Sequence, residues 1–518
     1  MNWWILDGWQ SRVTGPDAPD WLNLHRHSNA TLVKSNPRRS VWRVTTADRQ
    51  IYAKEFIHPS VRDRLRHLFR GPQARSELRS ARAAADRGVP TVCFVACGIS
   101  KTRSVLLSEA IPEASPLSQI WTDIGHACDP GAARDRRNAV IHAVARLIAC
   151  AHRQGFLHPD AHPRNILIAL EEADGFTAYF ADVYGARQTA HLSDRQAAKS
   201  IAQLRQWFTL RATRTERLRF LRKYCEERLD SPSPRSTSAR VMMRRLAGPI
   251  VAATRRQARL LWKKRDQRIL TTNEYFARLG LGRRIRAHVT LRFGRRDIHP
   301  TPSAPPRSAR QWRELLSASD PTGGPTRLAD MMVVLSRQPT GMLERIRWMF
   351  AGSPLRRAFV MGHRLRNRDL PTRWPFAVVE RLALGTHAAS TLWQDAYPDS
   401  QSLTGFLRNP RTDRASRTAA CRSLAKVVLL MADRGAAVVR ASSATFAVAA
   451  ETNAVLIDDP TDVILRPRNV ERDRLATILA LGEVLHRTDC LRRTDAVRFL
   501  KRLAPTKWKQ LWRRLRQP

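Results

Sequence analysis

Cysteine is scarce and scattered. The seven in the chain (Cys93, Cys97, Cys128, Cys150, Cys225, Cys421 and Cys490) form no CxxC pair with zinc spacing and no disulfide framework, which argues against both a structural zinc module and a cystine-stapled secreted domain. Long apolar runs are missing too. None approaches the ~18 uninterrupted residues of a membrane-spanning helix, and the opening MNWWILDGWQ lacks a basic stretch followed by an apolar one. A cytoplasmic location is expected. Acidic residues are also few: 45 Asp plus Glu stand against 90 Lys plus Arg, a formal charge of +45.

What is present is globular composition. With 43% hydrophobic and 26% charged residues over 518 positions, the chain as a whole is neither disordered nor collagen-like, and it has room for two or three domains with cores of their own. The charge would draw any polyanion, whether nucleic acid, anionic lipid headgroup or phosphorylated glycan, and does not choose among them. Because the basic residues are mostly arginine spread along the whole chain, solvated arginine faces account for them equally well.

Self-comparison organises the chain. Arg62 to Val95 lines up on Leu343 to Ala377, with Phe69 on Phe350, Gly71 on Gly352, Pro90 on Pro371 and Thr91 on Thr372. The helical pattern Val144, Leu147, Ile148, Ala151 ending at Gly155 then lands on Leu424, Val427, Val428, Met431 and Gly435. TERLRFLRKY (Thr215 to Tyr224) lands on TDAVRFLKRL (Thr494 to Leu503). Three blocks in one order, with almost constant offset, predict two copies of one domain, 1–229 and 309–518. Between them, 230–308 reads as a basic helical connector: DSPSPRSTS breaks the chain at Asp230 to Ser238, the run to about Leu279 looks helical, and HPTPSAPPRS (His299 to Ser308) is Pro-rich.

Within the first copy, SVWRVTT (Ser40 to Thr46) and QIYAKEFI (Gln50 to Ile57) predict strands, a helix carries Glu77, TVCFVACG and SVLLSEAI predict further strands, and a long amphipathic helix covers about Arg134 to Arg153. A small strand-rich lobe followed by a helical lobe is the order of a protein-kinase-like fold. The expected class is α+β, with two such bilobal domains joined by the connector.

The chemistry-bearing residues follow that order. GFLHPDAHPRNILIAL places Asp160 and Asn165 five residues apart before an apolar strand, and AYFADVYGAR sets Asp182 at the end of the next. Phosphoryl transfer from ATP needs a carboxylate for the proton of the attacking hydroxyl and oxygen ligands for Mg²⁺, which Asp160, Asn165 and Asp182 can supply. Lys54, mid-strand in IYAKEF, reads by itself more readily as solvated on an exposed face. With Glu77 as ion-pair partner it can instead point at nucleotide phosphates.

IYAKEF, GPQARSEL followed by RGVPT, FLHPDAHPRNILI, FADVYGAR and TERLRFLRKY together resemble the Kdo/WaaP-type lipopolysaccharide kinases over most of residues 30–225. The resemblance implies ATP-dependent phosphorylation of a Kdo or heptose hydroxyl in the lipopolysaccharide inner core, at the inner face of the cytoplasmic membrane. It implies Lys54 on the α/β-phosphates, Glu77 holding it, Asp160 as base, and Asn165 and Asp182 on Mg²⁺, with His158 bracing the loop. Partners would be the lipopolysaccharide core or another anionic glycolipid, with peripheral membrane contact; nucleic acid is not expected. One departure stands out: LVKSNPRRSVWRV (Leu32 to Val44) has no glycine where a nucleotide loop would lie, so phosphate contacts would fall to other amides or to Lys34, Arg38 and Arg39.

In the second copy the offsets carry Lys54 to Leu335, Glu77 to Ala358, His158 to Val438, Asp160 to Arg440 and Asn165 to Thr445, and only the last carboxylate persists, as Asp458 or Asp459. That copy is expected to be a pseudokinase. The alternatives are a protein or small-molecule kinase on the same fold, or a non-catalytic kinase-shaped scaffold with a basic surface.

Overall fold

The computed structural model describes residues 1–36, 39–46, 49–57, 71–100, 102–171, 175–229, 237–293, 305–318, 326–328, 332–383, 386–397, 400–466, 469–488 and 492–516. Pro37, Arg38, Phe69, Cys490, most of the break at 230–238 and most of the Pro-rich 299–308 lie outside them. The chain divides into two units, Met1–Ala258 and Arg259–Pro518, the division falling inside the helix Thr237–Asp266.

Unit 1 opens with an antiparallel sheet of β1 (Asn2–Ile5), β2 (Ala30–Asn36), β3 (Arg39–Thr45), β4 (Gln50–Ile57), β5 (Phe94–Ile99) and β6 (Arg103–Glu109), in the order β1-β5-β6-β4-β3-β2 among the described residues. Period-two alternation sorts β4. Ile51 and Ala53 face a core with Val44, Val95, Val105, Leu107, Trp9 and Trp21, while Phe56 faces the core built on the helix Gln73–Ala85. Lys54 shares the face of Phe56. On that helix Ala74, Leu78, Ala81 and Ala84 are buried at helical spacing, and Glu77 sits in the same stripe.

The second lobe is mainly helical. β7 (Ser115–Pro116) leads into the helix Leu117–Gly125, and Asp129 caps the long helix Pro130–Arg153 by accepting from the Gly131 amide at 2.7 Å. That helix ends before Gly155, whose φ of 66° and close approach to the Thr189 carbonyl leave no room for a Cβ. β8 (Phe156–Leu157), β9 (Ile166–Leu170), β10 (Phe176–Phe180) and β11 (Arg187–Gln188) form two small sheets, and the helices Asp194–Phe208 and Arg214–Arg228, each opened by a capping box, complete the lobe. Arg137 on the long helix pairs with Glu216 at 3.6 Å.

Unit 2 corrects one sequence expectation. The basic helix stops at Asp266, and β12 (Phe276–Gly280) and β13 (Ile285–Thr290) form a hairpin instead of a helical run to Leu279. Asn273 makes the break: its Nδ2 donates to the Arg268 and Thr271 carbonyls (2.9 Å each) and its Oδ1 accepts from the Tyr275 amide at 2.9 Å. Ala277, Leu279, Ala287 and Val289 then bury at strand alternation.

These strands join β14 (Thr326–Leu328), β15 (Met332–Arg337), β16 (Pro375–Ala383) and β17 (Thr386–Asp395) in a sheet ordered β12-β13-β16-β17-β15-β14. Between β15 and β16 lie the helices Met342–Ala351 and Pro354–Asn367. The rest of unit 2 follows the element order of unit 1's second lobe: β18 (Ser400–Ser402), the helices Leu403–Arg408 and Arg414–Arg434, β19 (Ala436–Val438), β20 (Phe446–Ala449), β21 (Val455–Ile457), β22 (Val463–Leu465), then the helices Val470–Arg487 and Arg493–Leu503, followed by Trp508–Arg516. Small details recur at the aligned positions. Thr91 bridges Phe180 in parallel and its hydroxyl donates to the Phe180 carbonyl at 3.0 Å; Thr372 does the same with Ile457 at 2.7 Å. Arg417 and Asp495, aligned with Arg137 and Glu216, form a buried pair at 2.9 Å.

Candidate functional site

Lys54 and Glu77 meet because a strand face and a helix stripe pack together. Lys54 Nζ lies 2.6 Å from Glu77 Oε1 and 3.2 Å from Asp182 Oδ1, so one ammonium joins strand, helix and the turn after β10. Arg39 on β3 adds a second cation, 3.0 Å from Asp182 Oδ2. Glu77 is fully buried, and among the described residues its Oε2 has no protein partner. Burial pushes its carboxyl above the usual range, against the pull of Lys54. Burial acts the same way on Asp182, but Lys54 and Arg39 more than offset it and hold that carboxyl below the usual range. Asp182 has φ 56°, a left-handed backbone uncommon outside glycine, which turns it out of the strand direction.

The second cluster is built on the loop after β8. Asn165 Nδ2 donates to the Asp160 carbonyl at 3.0 Å and to Asp160 Oδ2 at 3.2 Å. The asparagine backbone is tied to the neighbouring strand end by the Ala181 amide, which donates to the Asn165 carbonyl at 2.9 Å. Buried His158 links the clusters: its Nε2 is 3.0 Å from the Ala181 carbonyl and its Nδ1 accepts from the Asp160 amide at 3.1 Å. Burial lowers its pKa, so the ring is neutral at pH 7, with the proton on Nε2, and braces the loop. All five residues singled out in the sequence therefore fall into two hydrogen-bonded clusters joined through His158 and Ala181.

One contributor had no visible signal in the sequence. Gln203, on the helix Asp194–Phe208, holds the loop from outside: its Nε2 donates to the Pro159 carbonyl at 2.8 Å and its Oε1 accepts from the Ala161 amide at 3.3 Å. Arg39, read from the sequence as a candidate phosphate contact, pairs with Asp182. Lys34 lies on β2 and is exposed.

The aligned places in unit 2 are different. Ala358 is buried where Glu77 would stand, Val438 is buried in place of His158, and Arg440 is exposed in place of Asp160. The Asp458 amide donates to the Thr445 carbonyl at 2.9 Å, as Ala181 does to Asn165, so Asp459 takes the place of Asp182. The Asp459 carboxylate caps its own short turn by accepting from the Thr461 amide and hydroxyl. Arg373 crosses this unit, pairing with Asp458 and donating to the Asp395 carbonyl at 3.1 Å and to Ser400 Oγ at 3.0 Å.

A strand lysine held by a helix glutamate, with an Asp-Asn loop and a strand-end aspartate in sequence order behind it, defines a phosphotransferase of the protein-kinase-like class. Residues 24–224 match the model of the Lipopolysaccharide kinase (Kdo/WaaP) family. The family implies ATP as phosphoryl donor. No curated protein matches the chain. Among solved structures, the chain is similar to one described as WaaP in complex with acyl carrier protein (22% identity, TM-score 0.37, 50% of this chain and 99% of that one). It is also similar to an aminoglycoside-3'-phosphotransferase of type VIII (16% identity, TM-score 0.29, 43% and 95%). Among the described residues no helix is long and apolar enough to cross a membrane.

Proposed function

We propose that the N-terminal unit phosphorylates a Kdo or heptose hydroxyl of the lipopolysaccharide inner core with MgATP, and that the C-terminal unit is a degenerate copy that transfers no phosphate. The observation that carries the reading is Lys54 between Glu77 and Asp182, the placement a lysine needs to bind the α/β-phosphates beside a metal-holding carboxylate.

The donor atoms suit a hard cation. Among the described residues no group of three or more His, Cys, Asp or Glu side chains converges as a cage. Mg²⁺ would be held by Asp182, Asn165 and phosphate oxygens, as an ion that binds through few protein ligands requires. Bound MgATP supplies the transferable phosphoryl group and neutralises charge on it. The chain's own residues do the rest. Asp160, exposed at the loop tip and steadied on one oxygen by Asn165, accepts the proton of the attacking sugar hydroxyl, a role worth roughly 10²–10⁴-fold in rate. Glu77 keeps Lys54 aimed, and His158 with Gln203 fixes the loop.

For the second unit, support comes from the shared four-strand order, β5-β6-β4-β3 against β16-β17-β15-β14, the paired Thr91/Thr372 bridges and the buried Ala358. The acceptor would bring the protein to the inner membrane surface, to which a basic chain is attracted. Labelled ATP with purified lipopolysaccharide tests the proposal: label is expected in the glycan, dependent on Asp160. Incorporation only into protein defeats the glycan acceptor.

A further inference from the structure

In unit 2 the helix Met342–Ala351 (MLERIRWMFA) is two-sided. Its inner side holds Trp348, 2% exposed, and Glu344, which accepts from the Thr340 amide and hydroxyl (2.8 Å each) and from the Trp348 indole at 3.2 Å. Its outer side is apolar: Leu343 is 86% exposed, Phe350 82% and Met342 77%, with Met349 and Ile346 exposed beside them.

At about 100° per residue, with Ile346 at the centre, Met349, Met342, Phe350 and Leu343 all fall within about 60° to either side. Arg345 and Arg347 stand at about 100° on opposite flanks, and Trp348 and Glu344 lie behind. Single exposed apolar side chains are ordinary; five on one helix face, rimmed by two arginines, mark a contact surface.

We propose that this helix lies in the headgroup layer of an anionic lipid bilayer, its apolar arc in the acyl boundary and Arg345 and Arg347 on lipid phosphates. Charge selects the occupant. The arc carries no carboxylate, the helix's one acid is turned inward onto Thr340 and Trp348, and the chain as a whole carries +45, which complements an anionic leaflet. The inference rests on the reading that the acceptor is a membrane glycolipid, and it names the element that would bring the protein there.

The test is sedimentation of the full chain with phosphatidylglycerol-containing and with purely phosphatidylcholine vesicles, for the parent, Leu343→Ser/Phe350→Ser and Arg345→Glu/Arg347→Glu. All these side chains are at least partly exposed, so unchanged melting curves are expected. Binding to the anionic vesicles is expected to weaken about tenfold or more in each double variant, and to fall with salt. Phosphoryl transfer to lipid-free core oligosaccharide is expected to stay at the parental rate. Parental binding with both variants unchanged overturns the helix assignment while leaving membrane contact standing. Equal binding to neutral vesicles, or a parental dimer that Leu343→Ser/Phe350→Ser converts to monomer, overturns it as well. Vesicle binding lost in the variants, with no transfer by the parent, supports the helix and removes the kinase reading instead.

Discussion

Arg39 and Asp182 hold one another at 3.0 Å on the side of the carboxylate not used by Lys54. A cation at Asp182 must compete with that guanidinium. Both groups are about a quarter exposed, so solvent limits the pair to about 0.5–1 kcal/mol. Arg39→Ala is therefore expected to lower the Mg²⁺ concentration for half-maximal activity roughly threefold. An unchanged Mg²⁺ dependence with a raised KM for ATP would instead assign Arg39 to the phosphates.

Asp160 and its aligned residue Arg440 give an internal control. Asp160→Ala is expected to cut phosphoryl transfer by roughly 10²–10⁴-fold with the melting temperature unchanged, since the side chain is exposed. Arg440→Ala is expected to leave the rate within about twofold of the parent, the range of a neutral surface change. A loss at Arg440 comparable to that at Asp160 would contradict an inactive second unit.

Gly155 sets the loop that carries His158 and Asp160. A Cβ there would lie 1.8 Å from the Thr189 carbonyl oxygen, at a φ of 66°. Gly155→Ala is expected to cost about 3 kcal/mol in denaturant unfolding and to lower activity through the displaced loop.

Buried His152 makes unit 1 acid-sensitive. Its ring nitrogen is 2.8 Å from the Tyr224 hydroxyl, and burial, with Arg228 nearby, pushes its pKa down to about 3 from 6.5. Below pH 6.5 the unfolded chain takes up a proton that the native state refuses, so stability falls with pH by up to about 1.4 kcal/mol per unit, and the loss continues toward pH 3. His152→Gln is expected to flatten this slope between pH 6.5 and 5, measured by chemical denaturation.

Much of unit 1 was legible because its signals are local. β4 alternates, Glu77 falls in an apolar stripe, and Asp160, Asn165 and Asp182 sit at strand margins. What stayed hidden depends on distance along the chain or on a break in pattern. Gln203 reaches the Asp160 loop from a helix some forty residues on, and nothing in its neighbourhood marks it. The hairpin at 276–290 was masked by the arginine-rich composition continuing from the preceding helix, while the Asn273 turn that ends that helix is a single side chain. The outward arc of Met342–Ala351 has ordinary helical spacing; only burial reveals that its apolar side faces away from the core.

Arg373 has a consequence for how the second unit moves. A cleft that takes up nucleotide and lets product go has to hinge, and in unit 1 the aligned position is Val92, whose side chain can make no polar tie. In unit 2 one guanidinium fastens the end of β17, Ser400 and Asp458 together. A tie of this kind would resist hinging, as suits the degenerate copy proposed above.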